Sequence, residues 1–277
     1  SGGRDRGERR QGRVLRLTQA EPGMVQRLRE YLVTYGLLVT LTVMILGWTV
    51  LALVLLTPLP ARRRRAAARA TMRVGLRLFT RLLTGLGAYR LELTALDALA
   101  HEPGLILAPN HPSAFDAIVL LSGHPDLACI LKPALLRHPL LGAGARLAGF
   151  ISNQPPRRMV RTALAELERG AAVLLFPEGT RTARWPINPL TASAAVIAKH
   201  ARAPIQILII ETDSPYLGKG WPPLKVPRLP ILYRVRLGRR IAAPDDVAEC
   251  TRLLEREYAA ELAAAPQRAW LPGQSRS

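Results

Sequence analysis

Cysteine is scarce: Cys129 and Cys250 are the only two in 277 residues. They lie far apart and form no C-x-x-C pair, so neither a disulfide scaffold nor a zinc site built on paired cysteines is indicated. A reducing, cytoplasm-facing compartment fits this usage. Aromatic residues make up only 5%, and the basic segments hold few of them, whereas a nucleic-acid binder needs stacking platforms among its basic residues. Acid is also short, with 20 Asp and Glu against 39 Lys and Arg and a net charge of +19. That excess calls for an anionic partner such as a lipid headgroup, an acidic carrier protein or a phosphorylated substrate. No G-x-S-x-G occurs, so a serine nucleophile elbow is missing. Hydrophobic residues nevertheless reach 49%, which excludes an extended disordered chain and allows one sizeable buried core.

The positive charge is concentrated at the start. Residues 1–87 carry +12, residues 88–243 carry +9 and residues 244–277 carry −2. Inside the first block, Leu32 to Leu56 run for 25 residues without a charge. As a helix this stretch is about 37 Å long, against a hydrocarbon core of about 30 Å. The run is too long for the apolar core of a cleaved signal peptide, and it ends in Thr57-Pro58-Leu59-Pro60 rather than a small-residue cleavage site. After this turn, arginines at 62, 65, 69, 73, 77 and 81 recur at helical spacing beside Val74, Leu78, Leu82, Phe79, Leu83 and Leu86. That pattern predicts a helix lying in a lipid headgroup layer. Seven arginines follow the apolar run within twenty residues and four precede it, so the remainder is expected on the cytoplasmic side of an inner membrane.

From Ala88 onward short apolar runs alternate with helical patterns, which predicts an α/β domain with a largely parallel central sheet flanked by helices. Strands are expected at 89–94, 105–108, 127–131, 150–152, 172–176, 205–210 and 231–237, and helices at 112–121, 140–148, 159–169, 190–200 and 245–264. The chain therefore divides into a basic tail (1–30), a membrane helix (31–57), an amphipathic interfacial helix (58–87), a catalytic domain (88–243) and a C-terminal helix and tail (244–277). A proline-rich loop, 213–230, carries Tyr216 and Trp221 and has a length typical of functional loops.

Chemistry points to one histidine. Of the five, only His111 has an acid five residues on, in Asn110-His111-Pro112-Ser113-Ala114-Phe115-Asp116. The segment follows the apolar strand Gly104 to Pro109, and Pro112 suits a first helical turn. Asp116 can then hold one ring nitrogen and leave the other as a base at the carboxyl edge of the sheet, where open α/β folds bind ligands. With no serine elbow, the nucleophile is expected to be a hydroxyl of the substrate. A second segment, Phe176-Pro177-Glu178-Gly179-Thr180-Arg181, follows the strand 172–176. Its glycine can free backbone N–H groups, and its arginine can hold an oxyanion in bidentate fashion.

His-x-x-x-x-Asp followed after about sixty residues by Phe-Pro-Glu-Gly-Thr-Arg closely resembles the glycerolipid acyltransferase family, which contains the 1-acyl-glycerol-3-phosphate acyltransferases. The resemblance covers roughly residues 88–243. It implies that His111 is the general base for the acceptor hydroxyl and that Asp116 orients it. Glu178, Gly179, Thr180 and Arg181 would bind the acceptor, with Arg181 on its phosphate. Lys132 and Gly149 match an intermediate block, and Pro204 matches the opening of the last one. The chain departs from the family in having Asn153 where relatives usually carry Arg, and Leu190-Thr191-Ala192-Ser193 in place of Phe-Lys-x-Gly. The resemblance implies an O-acyltransferase that takes its acyl group from acyl-CoA or an acyl-carrier protein and works on membrane lipids without metal or redox cofactor. The acceptor would be 1-acyl-glycerol-3-phosphate or a less anionic hydroxylated relative. The competing class is a non-catalytic basic adaptor for membranes or nucleic acid, and release by salt alone would mark it.

Overall fold

The structure is a computed structural model, and it describes residues 23–264 apart from His101 and Trp185. It opens with two long helices, α1 (Met24–Leu56) and α2 (Ala61–Gly85). The α/β body follows as β1 (Tyr89–Glu92), α3 (Thr94–Asp97), β2 (Ile106–Pro109), α4 (Asp116–Gly123), β3 (Leu127–Leu131), α5 (Pro133–Arg137), α6 (Gly142–Leu147) and β4 (Ile151–Ser152). It continues through α7 (Pro156–Glu168), β5 (Ala172–Leu174), α8 (Ser193–Ala201), β6 (Ile205–Thr212), β7 (Ile231–Ile241) and α9 (Val247–Ala264). One seven-stranded sheet runs in the order β1-β7-β6-β2-β5-β3-β4. Every pairing is parallel except β6 with β7. The expected, largely parallel sheet is present, and all seven strands fall where the apolar runs predicted them.

β2, β5 and β3 are buried along their length because helices cover both faces of the sheet. On one face Ala163 and Leu167 of α7, Ala194 and Ile197 of α8 and Leu254 and Tyr258 of α9 pack on Ile106, Ile205 and Ile207. On the other, Val119 and Leu120 of α4 join Phe79 and Leu83 of α2, Leu37 of α1, and Leu105, Leu107, Leu208 and Tyr233. Both N-terminal helices thus complete the core of the body.

Two expectations need correction here. Residues 24–30, assigned to a tail, form the first turns of α1; the rest of that tail, residues 1–22, lies outside the described residues. The C-terminal stretch 265–277 also lies outside them. The second correction concerns α2, whose arginines were expected to face lipid headgroups. Arg69 is 5% exposed and ion-pairs with Asp126 at 2.6 Å and Glu166 at 2.7 Å. Arg65 reaches the same Glu166 at 3.0 Å, Arg73 donates to the Gly123 carbonyl, and Arg77 pairs with Asp97. These four arginines dock α2 onto the body, while Arg62 and Arg81 stay exposed and Val74, Leu78 and Leu82 point outward. Helical spacing puts arginines and leucines on different faces, but it does not say which face meets the protein.

α1 is long and apolar enough to cross a membrane and has only 17% of its most apolar window buried. A core helix would be covered all round. Contacts run along its whole length, however: Arg29 donates to the Leu86 carbonyl, Glu30 accepts from the Leu229 N–H, and Tyr35 donates to the Leu224 carbonyl. Near its other end Trp48 lies so close to Gly144 of α6 that a Cβ there would sit 2.6 Å from the ring.

Candidate active site

β2 delivers the histidine. Asn110, just past the strand, donates from Nδ2 to the Ile210 carbonyl at 3.0 Å and accepts the Ile210 N–H on Oδ1 at 2.7 Å. This side-chain splice locks the end of β2 to β6. His111 then emerges at the carboxyl edge of the sheet with its side chain 17% exposed.

The sequence predicts a helix from Pro112, but α4 starts only at Asp116. Ser113 takes the backbone elsewhere: its hydroxyl accepts the Phe115 N–H at 3.2 Å and donates to the Tyr216 carbonyl at 2.9 Å. Such local side-chain bonds compete with helix formation. The resulting tight turn brings Asp116 back under the histidine. His111 Nδ1 lies 2.7 Å from Asp116 Oδ2, which also accepts the Ser113 N–H at 3.0 Å. Asp116 Oδ1 accepts from the Tyr233 hydroxyl of β7. The carboxylate is fully buried and has a donor on each oxygen, as a buried charge requires. With Nδ1 held in this way, Nε2 is the nitrogen left for a substrate proton.

Phe176, which ends the run from β5, stacks on the imidazole with centroids 3.8 Å apart. Gly179, at φ +64°, makes the following turn. Glu178 faces inward, 5% exposed. Its Oε1 accepts the His111 N–H at 3.0 Å and the Thr182 hydroxyl at 2.6 Å, and its Oε2 accepts the Asn188 N–H at 3.0 Å. Burial pushes this carboxyl above its ordinary range, against the opposing pull of the bonds from Thr182, Asn188 and His111. In this arrangement Glu178 is a strut between the two motifs.

Gly179 is open and Thr180 and Arg181 are half-exposed beside it. Arg181 Nη1 donates to the carbonyls of Leu217 at 2.7 Å and Gly218 at 2.9 Å. The Ala114 N–H also reaches the Leu217 carbonyl at 3.0 Å. The loop 213–230 is thereby seated over both motifs, and at its far side it meets Tyr35 of α1. Lys132 stands exposed after β3, two strands from β2 in the sheet. Thr191 bonds the Pro177 carbonyl through both its N–H at 2.8 Å and its hydroxyl at 3.0 Å. It braces the turn and adds no charge. The Asn153 N–H continues the β3–β4 pairing to the Leu131 carbonyl.

Cys129 is fully buried, and burial pushes its thiol up to about 12; Ser113 is buried with its hydroxyl engaged. The structure thus brings His111, Asp116, Glu178, Gly179, Thr180 and Arg181 to one edge, with Lys132 at its rim. Sequence reasoning passed over Asn110, Ser113 and Tyr233. The first two lie inside the motif string, where their types alone signal a turn; Tyr233 carries no local signal.

Residues 90–211, which carry both motifs of this edge, match the Acyltransferase family model. More particularly, the chain is similar to 1-acyl-glycerol-3-phosphate acyltransferases. It is 28% identical over 148 residues to the 1-acyl-sn-glycerol-3-phosphate acyltransferase of Pseudomonas aeruginosa, covering 51% of this chain and 56% of that protein. It is 30% identical over 123 residues to a putative 1-acyl-sn-glycerol-3-phosphate acyltransferase of Caenorhabditis elegans, covering 42% and 47%. The chain spans about half the length of these two relatives. In fold it resembles the crystal structure of PlsC, the 1-acyl-sn-glycerophosphate acyltransferase of Thermotoga maritima, with a TM-score of 0.65 at 18% identity over 86% of this chain and 96% of that one.

Proposed function

We propose that the protein transfers an acyl group from an acyl thioester to the free hydroxyl of a 1-acyl-glycerol-3-phosphate type of lysophospholipid. The observation that carries this reading is the His111–Asp116 pair at the sheet edge. His111 Nε2 takes the proton of the acceptor hydroxyl as its oxygen attacks the thioester carbonyl carbon. A tetrahedral intermediate forms, the C–S bond breaks, and the departing thiolate recovers the proton from the imidazolium. Asp116 stabilises that imidazolium and fixes its tautomer. Gly179, Thr180 and Arg181 flank the acceptor, with the guanidinium on the phosphate.

Acyl-CoA and an acyl-carrier protein both present the required thioester. The test is a mixed-micelle assay with each labelled donor and 1-acyl-glycerol-3-phosphate. The expected result is labelled phosphatidic acid with one free thiol per ester formed. No ester from either donor would overturn the reading. A second reading, a less anionic acceptor, is favoured by the uncharged Asn153 and Thr191, at positions where the family resemblance implies positive charge. Competition between 1-acyl-glycerol-3-phosphate and a neutral or zwitterionic lysolipid, with one common donor, separates the two.

Lipid acceptors place the enzyme at a membrane. The outward faces of α1 and α2 supply the contact, and because α1 is docked along its length we read it as lying side-on in the lipid rather than crossing it. Val74 and Leu78 are 68% and 61% exposed. Burying such a side chain is worth about 1.5–3 kcal/mol. Val74→Asp with Leu78→Asp is therefore expected to weaken binding to anionic vesicles by about tenfold or more, with thermal unfolding unchanged because neither side chain is in the core. Flotation equal to that of the wild type would count against this membrane face.

A further inference from the structure

Asp116 stands at the centre of the site and is held from three directions: by the His111 ring, by the Ser113 N–H and by a phenol from β7, two strands from β2 on the same face of the sheet. That phenol, Tyr233, lies on β7 opposite Thr212 of β6 and Leu91 of β1. It falls outside residues 90–211, which match the family model. Its ring is 1% exposed and is fixed by neighbours: Phe115 meets it edge-on at 5.6 Å, and Tyr89 leans on Phe115 at 4.7 Å. A buried phenol is expensive unless its hydroxyl has a partner, and here the partner is the carboxylate that orients the base.

We infer that Tyr233 is a positioning residue of the reaction, whose hydroxyl donates to Asp116 Oδ1 and so fixes the carboxylate that holds His111. This rests on the acyl-transfer reading above. With Ser113 and His111 on Oδ2 and Tyr233 on Oδ1, the carboxylate cannot rotate, and His111 keeps the tautomer with Nε2 unprotonated. The phenol is in the right state for this work, because burial and then the negative charge of Asp116 push it well above its ordinary range, so it remains a donor. The other titratable groups around the pair are Glu178 behind His111, Tyr89 on β1 and Tyr216 in the 213–230 loop. Burial raises both tyrosines, so they stay neutral across an assay range.

Removing a donor from an anion makes the His111–Asp116 pair hold its proton more tightly. Tyr233→Phe keeps the ring and deletes only the hydroxyl. The expected result is a fall in kcat of about tenfold with KM changed by less than about twofold. The acidic limb of the kcat/KM profile should move to higher pH by about half a unit or more. A merely structural role would lower the unfolding temperature and leave that limb in place, as Phe115→Leu is expected to do. A limb at the wild-type position in Tyr233→Phe overturns the inference. Should Tyr233→Phe not fold, 3-fluorotyrosine at position 233 decides the matter: as a stronger donor it moves the limb to lower pH if the inference holds and leaves it unmoved if not. His111→Ala in the same assay keeps the two levels apart. If it is inactive while Tyr233→Phe behaves as wild type, only the role of Tyr233 fails; if it is active, the acyl-transfer reading itself fails.

Discussion

His111→Ala is expected to lower acyl transfer by about 10² to 10⁴-fold, the usual contribution of a positioned general base. The variant should remain folded, for a physical reason. The strut that joins the two motifs uses the backbone N–H of His111, not its ring, so Glu178 keeps its partners when the ring is gone. Asp116 loses one donor but retains Ser113 and Tyr233. Initial rates at saturating donor and acceptor, with unfolding followed in the same detergent, provide the measurement. Near-wild-type turnover from folded His111→Ala would remove the base from the mechanism.

The second large effect concerns stability. Glu166 of α7 is fully buried and ion-pairs with Arg65 and Arg69 of α2 and with Arg169. Glu166→Ala leaves Arg69, itself 5% exposed, with only the half-exposed Asp126 as a charge partner. Breaking a buried pair from one side costs about 3–5 kcal/mol, which should show as a lower unfolding temperature and a loosened α2. Arg69→Met combined with Glu166→Leu should lose less, because no uncompensated charge stays inside.

The same cluster sets a pH dependence. Burial opposes ionisation of Glu166, but Arg69 and Arg169 outweigh it and hold the carboxyl below its ordinary 4.5. The folded value lies under the unfolded one, so this stabilisation is complete above about pH 4.5 and is lost as the pH falls through the lower, folded value. Acid unfolding of the wild type should be steeper than that of the double variant. Equal acid sensitivity would show that the cluster does not carry this stability.

The cluster also changes how the N-terminal helices must be tested. Deleting residues 1–87 looks, from composition, like removal of a membrane anchor. In the folded protein Leu37, Phe79 and Leu83 belong to the core, and Arg69 belongs to the buried ion cluster. The deletion would expose core rather than release a soluble domain, which is why the outward-facing Val74 and Leu78 are the better targets.

Much was legible in the sequence because it rests on local periodicity and composition. Short segments of three to seven residues bounded by turn formers located all seven strands: β2, β3 and β5 as continuous apolar runs because both their faces are covered, and β7 through alternation, since one residue in two is buried over its first half. The spacing of His111 and Asp116 and the string Phe176 to Arg181 marked the site, because each is a contiguous turn at a strand end. Helix starts were less legible. Ser113 and Thr191 divert the backbone through hydrogen bonds to the Tyr216 and Pro177 carbonyls, partners distant in the chain.

What the sequence determined by itself was the parallel α/β class, the apolar length of α1 and the residues able to do acid–base chemistry. Only the tertiary structure decided that Arg65, Arg69, Arg73 and Arg77 of α2 face the body while Val74 and Leu78 face outward, that Glu178 braces the motifs from within, and that Tyr233 completes the hold on Asp116. The physical reason is common to all three. A helical pattern fixes the angle between two faces but not which one is buried, and a hydrogen bond between residues 117 positions apart leaves no periodic trace, because the sheet and not the local chain brings its ends together.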